Sequence, residues 1–444
     1  MTGFPFVRKR GFVSLIACLV ALGFTHSSTR GEGETVTEAD AKVARRSAKV
    51  YLKHGEKEKA AEQLRIAIQG NPNDKETQKM WAQLYKQPAK AFLKRKMFDK
   101  AIEQFELTLE GIPHDIESHY LLGWLYSEKG LIDEVNQQFE AVLQQEKGRK
   151  KYEKEIQQIR EKLWALKYNA GVEALQAQDY TRAVGEFQSA EKCVPDRVDT
   201  VKGLGLAYLQ MGQQEEGINA FLKAASLDST DASTYIRLGV VYINTGKHQE
   251  AINALRKAHE LKPDDPGALD KLAIAQLRAD DMAGALQSTE KVLEIAPDHL
   301  RSLSRAGQLY VMGENFARAA EVLQKVVEQK PDDKIAIFNL ATSYKALDQL
   351  DKAETLFRKS LEFDASDHEA WYQLGVLYDR QNRLDDAIQA FEKVVEITPA
   401  NGQAWRALGQ TCTRKAKTSE GETKQAYTQK GEEAHKMADS LGAP

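Results

Sequence analysis

A small side chain recurs at one fixed interval along most of this 444-residue chain. Counted forward from Gly171, the same step always reaches a glycine or an alanine, namely Gly205, Gly239, Ala273, Gly307, Ala341 and Gly375. A second series with the same step comprises Ala183, Gly217, Ala251, Ala285, Ala319, Ala353 and Ala387. A regular period of about 34 residues predicts a helical solenoid, in which each unit buries its apolar face against its neighbours.

The segment 368–401 shows what one unit contains, which is two short amphipathic helices joined by a tight turn. Antiparallel helices approach closely only where one of them presents almost no side chain, which accounts for Gly375 and Ala387. The ring of Phe391 fills the volume beside them. Pro399 ends the second helix because it lacks an amide hydrogen and clashes with a preceding carbonyl group.

The signature residues of this unit resemble those of the tetratricopeptide repeat. In order they are Trp371, Leu374, Gly375, Tyr378, Ala387, Phe391 and Pro399. The resemblance extends over about residues 41–441. It implies an all-α fold, an α-α superhelix of about ten helix-turn-helix repeats followed by a C-terminal capping helix. It also implies a concave groove, lined by the first helix of each repeat, that holds peptides or partner proteins.

Interruptions of the period predict the domain boundaries. Three repeats occupy 41–149, a helical insert occupies 150–163, seven repeats in uninterrupted register occupy 164–401, and a cap occupies 402–444. Residues 29–40, rich in glycine, threonine and glutamate, are expected to form a flexible lead-in.

Two of these irregularities predict specific helix features. Seven extra residues at 75–81 lengthen the helix before the second repeat, where Pro88 is expected to kink it. Apolar residues at helical spacing in the insert predict one long helix that continues into the fourth repeat.

Residues 1–28 have the layout of a signal peptide or of a short membrane anchor. Three basic residues at 8–10 precede an apolar run at 11–24 and a polar stretch that offers a cleavage point after Ser27. The run is short for a membrane span, which needs about 20 residues. The protein is therefore expected to be exported, to the periplasm or the cell envelope. The alternatives are a lipoprotein modified at Cys18, within a lipobox-like sequence, and an uncleaved anchor that associates with the membrane through 11–24.

The charge balance gives no electrostatic footprint for nucleic acid. Lys and Arg number 62 against 65 Asp and Glu, and the formal net charge is −3. A nucleic-acid partner is therefore not expected. Cys193 and Cys412 lie far apart in the sequence without paired spacing, which predicts buried free thiols.

No constellation in the sequence indicates an enzyme, so we predict no catalytic, cofactor-binding or metal site. The GxG at 203–205 lacks a third glycine and falls within a predicted helix. His114 and His119 are five residues apart beside a proline, which is not the spacing of a helical metal site, and are interpreted as exposed turn residues.

The candidate site is the groove that the resemblance implies. Counting along each first helix from its small residue predicts a strip of largely apolar groove residues: Ile236, Val240, Ile243, Ile274, Leu277, Arg278, Val311, Met312, Phe338, Tyr372, Val376 and Arg380. A contiguous exposed apolar patch marks a binding site. The equally open alternative is that some of these side chains pack against the next repeat.

The residue types in the groove bear on its ligand. Some members of the family hold acidic C-terminal tails with a clamp of lysine, asparagine and arginine. Here Leu206, Val240 and Ile274 stand where an asparagine would be needed, so we expect no such clamp. The predicted partner is a protein or peptide with an amphipathic or apolar segment.

The sequence thus predicts a non-catalytic protein-interaction scaffold of the periplasm or envelope. The alternative is a structural component of an envelope assembly or secretion complex, held at a membrane by its N-terminal segment.

Overall fold

The structure is a computed structural model that describes residues 36–443. In that range the backbone forms α-helices joined by short turns, with no strand. The chain divides into two compact units. Unit 1 comprises the described residues up to Leu166 together with Lys192–Val194, and unit 2 comprises Lys167–Glu191 and the residues from Pro195 onward. The N-terminal leader predicted at 1–28, with its apolar run at 11–24, lies outside the described residues.

Unit 1 is built from consecutive helices that pack against one another. They are α1 (Glu38–Lys53), α2 (Lys57–Gly70), α3 (Lys75–Leu84), α4 (Lys86–Lys94), α5 (Phe98–Gly111), α6 (Ile116–Lys129), α7 (Ile132–Leu143) and the first part of α8 (Glu146–Gln176). The 31 residues of α8 confirm the prediction of one long helix running from the insert into the fourth repeat.

Local chemistry sets where the helices of unit 1 begin and break. Thr37 caps α1 through a capping box with Asp40, so residues 38–40 of the predicted lead-in are helical instead. The helix before the second repeat breaks at Tyr85, between α3 and α4. Pro88 lies three residues further on, and its ring excludes the carbonyl group of Leu84 from a regular helical turn, as the sequence predicts.

Unit 2 contains the regular part of the array. Its helices after α8 are α9 (Tyr180–Cys193), α10 (Val198–Gln210), α11 (Gln214–Leu227), α12 (Ala232–Asn244), α13 (His248–Leu261), α14 (Pro266–Arg278), α15 (Met282–Ile295), α16 (Leu300–Met312), α17 (Phe316–Gln329), α18 (Lys334–Ala346), α19 (Leu350–Phe363), α20 (His368–Arg380) and α21 (Leu384–Ile397). Each even-numbered helix from α10 to α20 is the first helix of a repeat, and the odd-numbered helix after it is the second. From α12 onward each first helix begins one full period after the previous one. The predicted fold class, all-α and of the α-α superhelix type, is confirmed.

The recurring small residues make room for a large side chain of the second helix. A Cβ atom added to Gly375 would lie 2.6 Å from a ring carbon of Phe391, and one added to Gly205 would lie 2.8 Å from the ring of Phe221. Phe391 is 1% exposed. Because such distances leave no space for a methyl group at these two positions, the requirement for a small residue there follows directly from the contact between the paired helices.

The turn between the two helices of a repeat contains another series with the same period, which the sequence analysis missed. One residue in each turn has a positive φ, and these residues are Gln178, Gly212, Gly246, Asp280, Glu314, Asp348 and Asn382. Only two of the seven are glycine, so residue type alone does not reveal the series. The left-handed residue reverses the chain, so that the second helix can run back along the first.

The aromatic position of the first helices connects neighbouring repeats. The hydroxyl group of Tyr344 donates to Gln324 at 3.1 Å, and that of Tyr378 donates to Glu354 at 3.0 Å. Gln276 takes this position in α14 and lies buried, with its side-chain amide 2.6 Å from Ser288 Oγ. A polar side chain is tolerated there because the second helix of the same repeat satisfies it.

The array ends in a cap made of α22 (Gly402–Lys417) and α23 (Gly421–Ser440). The loop between them comprises residues 418–420. Basic residues of the last turn of α22 prolong the helix by bonding to the preceding repeat, Arg414 to Asp379 and Lys415 to Asp385 at 2.7 Å. Ala434 and Ala438 of α23 are buried, while the rest of that helix is largely polar. The described helices include none that is both long enough and apolar enough to cross a membrane.

Candidate partner-binding face

The first helices of unit 2 lie side by side. Besides packing on its own second helix, α12 contacts α14, α16 contacts α18, and α18 contacts α20. Among the described residues no comparable contact joins two second helices. The first helices therefore line the inner side of this unit, and we call the side that carries the predicted groove residues the first-helix face.

None of the twelve predicted groove residues is buried. The exposed ones are Arg278, Arg380 and Met312, which is 60% exposed. The half-buried ones are Ile236, Val240, Ile243, Ile274, Leu277, Val311, Phe338, Tyr372 and Val376. Each first helix from α12 to α20 thus presents at least one partly accessible apolar side chain to the first-helix face.

Several of these side chains also contribute to the core. The ring of Phe338 lies 5.6 Å from that of Phe357, and the ring of Tyr372 lies 5.7 Å from that of Phe391, both in edge-on geometry. Val311 and Val376 pack against the same apolar cluster. The sequence left open whether these residues face the groove or pack in the core. For these aromatic residues both hold, because one side of each ring packs inward while the other stays accessible.

A surface cavity of 270 Å³ opens beside Phe338, between α18 and the start of α20. Its lining includes Ile335, which is 62% exposed, together with Asn339 and Ser360. The sequence analysis missed Ile335. Ile335 is the second residue of its helix. The same position carries Arg301 in α16 and Glu369 in α20, and these charged residues would have indicated that the position is exposed.

A second cavity, of 440 Å³, is lined by residues of α19, α20 and α21, among them Trp371, Tyr378, Arg358 and Asp386. The sequence analysis did not predict it, because it named Trp371 and Tyr378 only as signature residues of the repeat. Trp371 is half-buried, and its indole nitrogen donates to the carbonyl oxygen of Ala365 at 3.0 Å.

Ion pairs join successive first helices. Arg305 of α16 donates to Asp270 of α14 at 2.8 Å, and the two side chains are only 13% and 15% exposed. Arg380 lies 3.5 Å from Asp348 and donates to the carbonyl oxygen of Lys345 at 3.4 Å, so part of its hydrogen-bonding capacity is used within the array. Burial, together with the charge of Arg380, lowers the pKa of Lys345.

Asp231, which precedes α12, accepts several hydrogen bonds from neighbouring side chains. Lys202 of α10 donates to Asp231 at 2.8 Å and to Ser233 at 3.1 Å. Burial tends to raise the pKa of Asp231, but hydrogen bonds from Lys202, Thr234 and Ser233 outweigh it and hold that pKa far below its usual range. Asp231 is therefore ionised and engaged at neutral pH.

The structure also places the two histidines and the two cysteines that the sequence analysis considered. His114 is exposed, as expected, whereas the interpretation of His119 as an exposed residue is wrong. His119 is half-buried, with Nδ1 2.7 Å from Gln138 Oε1 and Nε2 2.8 Å from the carbonyl oxygen of Pro113. The prediction of buried free thiols at Cys193 and Cys412 is confirmed. In residues 36–443 no group of three or more His, Cys, Asp or Glu side chains is placed to hold a metal ion.

Family models described as tetratricopeptide repeat match residues 232–265, 276–344, 338–402 and 372–415, and one described as TPR repeat matches 205–246. These matches fall in the part of unit 2 where helix pairs follow one another at the constant period. This chain is a tetratricopeptide-repeat protein.

Several solved structures are similar to parts of the chain. The C-terminal part of a TPR repeat-containing protein from Cytophaga hutchinsonii is 17% identical, with coverage of 54% of this chain and 99% of that one and a TM-score of 0.46. MamA 41-end from Desulfovibrio magneticus RS-1 is 25% identical, with coverage of 38% and 96% and a TM-score of 0.36. A tetratricopeptide repeat protein from Parabacteroides merdae is 16% identical, with coverage of 56% and 98% and a TM-score of 0.38. No curated protein matches the chain significantly.

Proposed function

We propose that this tetratricopeptide-repeat protein is an exported, non-catalytic scaffold of the periplasm or cell envelope that holds partner proteins on its first-helix face. The observation that carries the proposal is the row of partly accessible apolar side chains along α12, α14, α16, α18 and α20. Export is supported by the sequence pattern of 1–28.

The accessible strip favours a segment of a partner protein over a small molecule. Its apolar residues lie on separate helices at equivalent positions, so a ligand that contacts all of them must extend across several repeats. An amphipathic helix or an extended apolar segment has that length, and it removes apolar surface from water at about 25 cal/mol per Å². The half-buried side chains are already ordered by the core, which lowers the entropic cost of binding.

The test is the double substitution Val240→Asp with Ile274→Asp, which places two charges within the apolar strip of α12 and α14. Both side chains are half-buried, so circular dichroism must first show that the helices are retained. We expect capture of native partners from an envelope lysate, measured by quantitative mass spectrometry, to fall at least tenfold, because an unpaired carboxylate is costly to bury in an apolar interface.

The matched control is Leu222→Asp with Ile295→Asp. These side chains are 47% and 39% exposed and belong to the second helices α11 and α15, so they add the same charge outside the first-helix face. This control variant should capture the same partners in the same amounts as the wild type. Unchanged capture by a folded V240D/I274D variant would overturn the proposal.

A further inference from the structure

Charge is distributed unevenly between the first and second helices of the four repeats from α12 to α19. The first helices α12, α14, α16 and α18 together carry seven basic residues and one acidic residue. Their partners α13, α15, α17 and α19 carry eight basic and nine acidic residues. The basic excess of this part of the array is thus confined to the helices that line the first-helix face.

The single acid among these four first helices is already neutralised. It is Asp270, which pairs with Arg305 at 2.8 Å in a largely buried contact. Arg237, Arg278 and Arg301 are exposed and have no acidic partner among the described residues. Lys271 is half-buried, and its ammonium group has only the carbonyl oxygen of Gly267 at 3.3 Å. Four cations therefore lie on α12, α14 and α16 without a counter-charge.

Three of these cations lie beside the apolar strip, and the fourth, Arg301, takes on α16 the position that Ile335 holds beside Phe338 on α18. Arg237 and Val240 are three residues apart on α12, so they lie next to each other on the helix surface. Lys271 and Ile274 repeat the same pair one period later on α14, and Arg278 lies one turn beyond Ile274. A ligand that covers the apolar strip of α12 and α14 is therefore flanked by positive charge.

We infer that the segment held on the first-helix face is an acidic amphipathic segment of a partner protein, with its apolar side chains on the strip and its carboxylates facing Arg237, Lys271, Arg278 and Arg301. This inference rests on the proposed function, since it specifies the chemistry of the ligand on the same face. An acidic ligand supplies the missing counter-charges, which guide its approach and fix its register. The apolar strip between the cations distinguishes such a ligand from a nucleic-acid backbone.

The test uses three synthetic helical peptides of about 18 residues, or five helical turns, that share one leucine-rich stripe. They carry glutamate, glutamine or lysine at the remaining positions. Fluorescence anisotropy with the protein at 50 mM and 300 mM salt measures the affinities. We expect the glutamate peptide to bind at least tenfold more tightly than the glutamine peptide at low salt. The advantage should shrink at high salt, where exposed charges are screened, and the lysine peptide should bind weakest.

Charge reversal locates the effect on the protein. R237E with R278E and R301E should weaken binding of the glutamate peptide at least tenfold. The control R256E with K291E and K325E changes the net charge equally, on exposed positions of α13, α15 and α17, and should change the affinity less than twofold. If charge is the cause, neutral substitution of the same residues reduces the affinity for the glutamate peptide less than the reversal does. The neutral set is R237Q, R278Q and R301Q.

Three results overturn the inference. They are equal affinity for the glutamate and glutamine peptides, an equal loss of affinity in the control reversal, and displacement of the glutamate peptide by a single-stranded oligonucleotide of matched charge.

Failure of the proposed function gives a different set of results. If V240D/I274D abolishes peptide binding and the glutamine peptide binds as well as the glutamate peptide, the face is a binding site without acidic preference. If a folded V240D/I274D variant binds every peptide normally, the face itself is wrong.

Discussion

At the residue scale, a single atom can decide how well a helix pair packs. Gly375 touches the ring of Phe391 so closely that an added Cβ atom would lie 2.6 Å from a ring carbon. Gly185 in α9 is also a helical glycine, but an added Cβ atom would meet no atom within 4 Å. The same substitution should therefore have opposite effects at the two positions.

We predict that Gly375→Ala destabilises the protein by about 1–2 kcal/mol, since overpacking a close contact costs more than helix propensity returns. Gly185→Ala should stabilise it by about 0.5–1 kcal/mol, because alanine favours the helix and reduces the freedom of the unfolded chain. Urea denaturation followed by circular dichroism measures both. The contact explanation fails if the two variants shift in the same direction.

Asp74 gives a pH-dependent prediction. The hydrogen bond from Thr77 Oγ1 is the main cause that lowers the pKa of Asp74 to about 2. Burial acts against it, and Arg45, 2.7 Å away, adds to it. Because the folded-state pKa lies below the unfolded value of 3.8, this carboxylate stabilises the fold above pH 4, and the contribution is lost as the pH falls through about 2.

Asp74→Asn should therefore cost about 1–2 kcal/mol at pH 7, allowing for the partial exposure of the pair, and almost nothing near pH 2. Glu62→Gln, which removes an exposed carboxylate elsewhere in unit 1, should change the free energy of unfolding by no more than about 0.5 kcal/mol at either pH. Denaturation midpoints at the two pH values make the comparison. A pH-independent loss in D74N would mean that packing, and not the charge, is responsible.

At the element scale, α23 closes the apolar end of the array. Cys412 of α22 is 0% exposed, and burial raises the pKa of its thiol to about 11. Ala434 and Ala438 of α23 are buried over the same end of the array, and a Cβ atom added to Gly431 would lie 3.5 Å from that of Cys412. The thiol therefore reports on whether this helix is in place.

We predict that deletion of residues 421–443 increases the rate at which Cys412 reacts with a thiol reagent at pH 8 at least tenfold, because water reaches the thiol and its pKa falls. Cys18 and Cys193 are replaced by alanine, so that one thiol is observed. A full-length chain that reacts as fast as the truncated one would show that α23 does not cover Cys412.

At the scale of the whole molecule, repetition supplies both stability and a binding face. Each pair of helices buries its apolar side on its neighbours, so the core extends with the number of repeats. The first helices of unit 2 contact one another, and their accessible side chains therefore form a strip that no single repeat could provide. The proposed role of that strip requires that the protein reach the compartment where its partners are.

We predict that the protein made in a bacterial host is found in the periplasmic or envelope fraction, with an intact mass that corresponds to cleavage after Ser27. Removal of the charges at 8–10 should leave uncleaved precursor in the cytoplasm, because the basic region directs export. A mass increased by lipid at Cys18 would identify a lipoprotein, and an uncleaved chain in the membrane fraction would identify an anchor. Either result would contradict cleavage.

The sequence by itself determined the helix pairs, their regular register and the contact of Gly375 with its partner helix. These features depend on residues close together in the chain or repeated in each unit, and helix periodicity with proline and small-residue positions encodes them directly. Pro88 and the long α8 were predictable for the same reason.

Only the tertiary structure decided which side chains form pairs, which are buried and which stay accessible. The pairing of Asp270 with Arg305 joins side chains 35 residues apart, and it depends on how two first helices lie against each other. Phe338 is half-buried because one side of its ring meets Phe357 while the other borders a cavity. Residue type sets which groups can pair or be buried, but the distances between helices determine which of them are, and these distances arise only when successive repeats pack together.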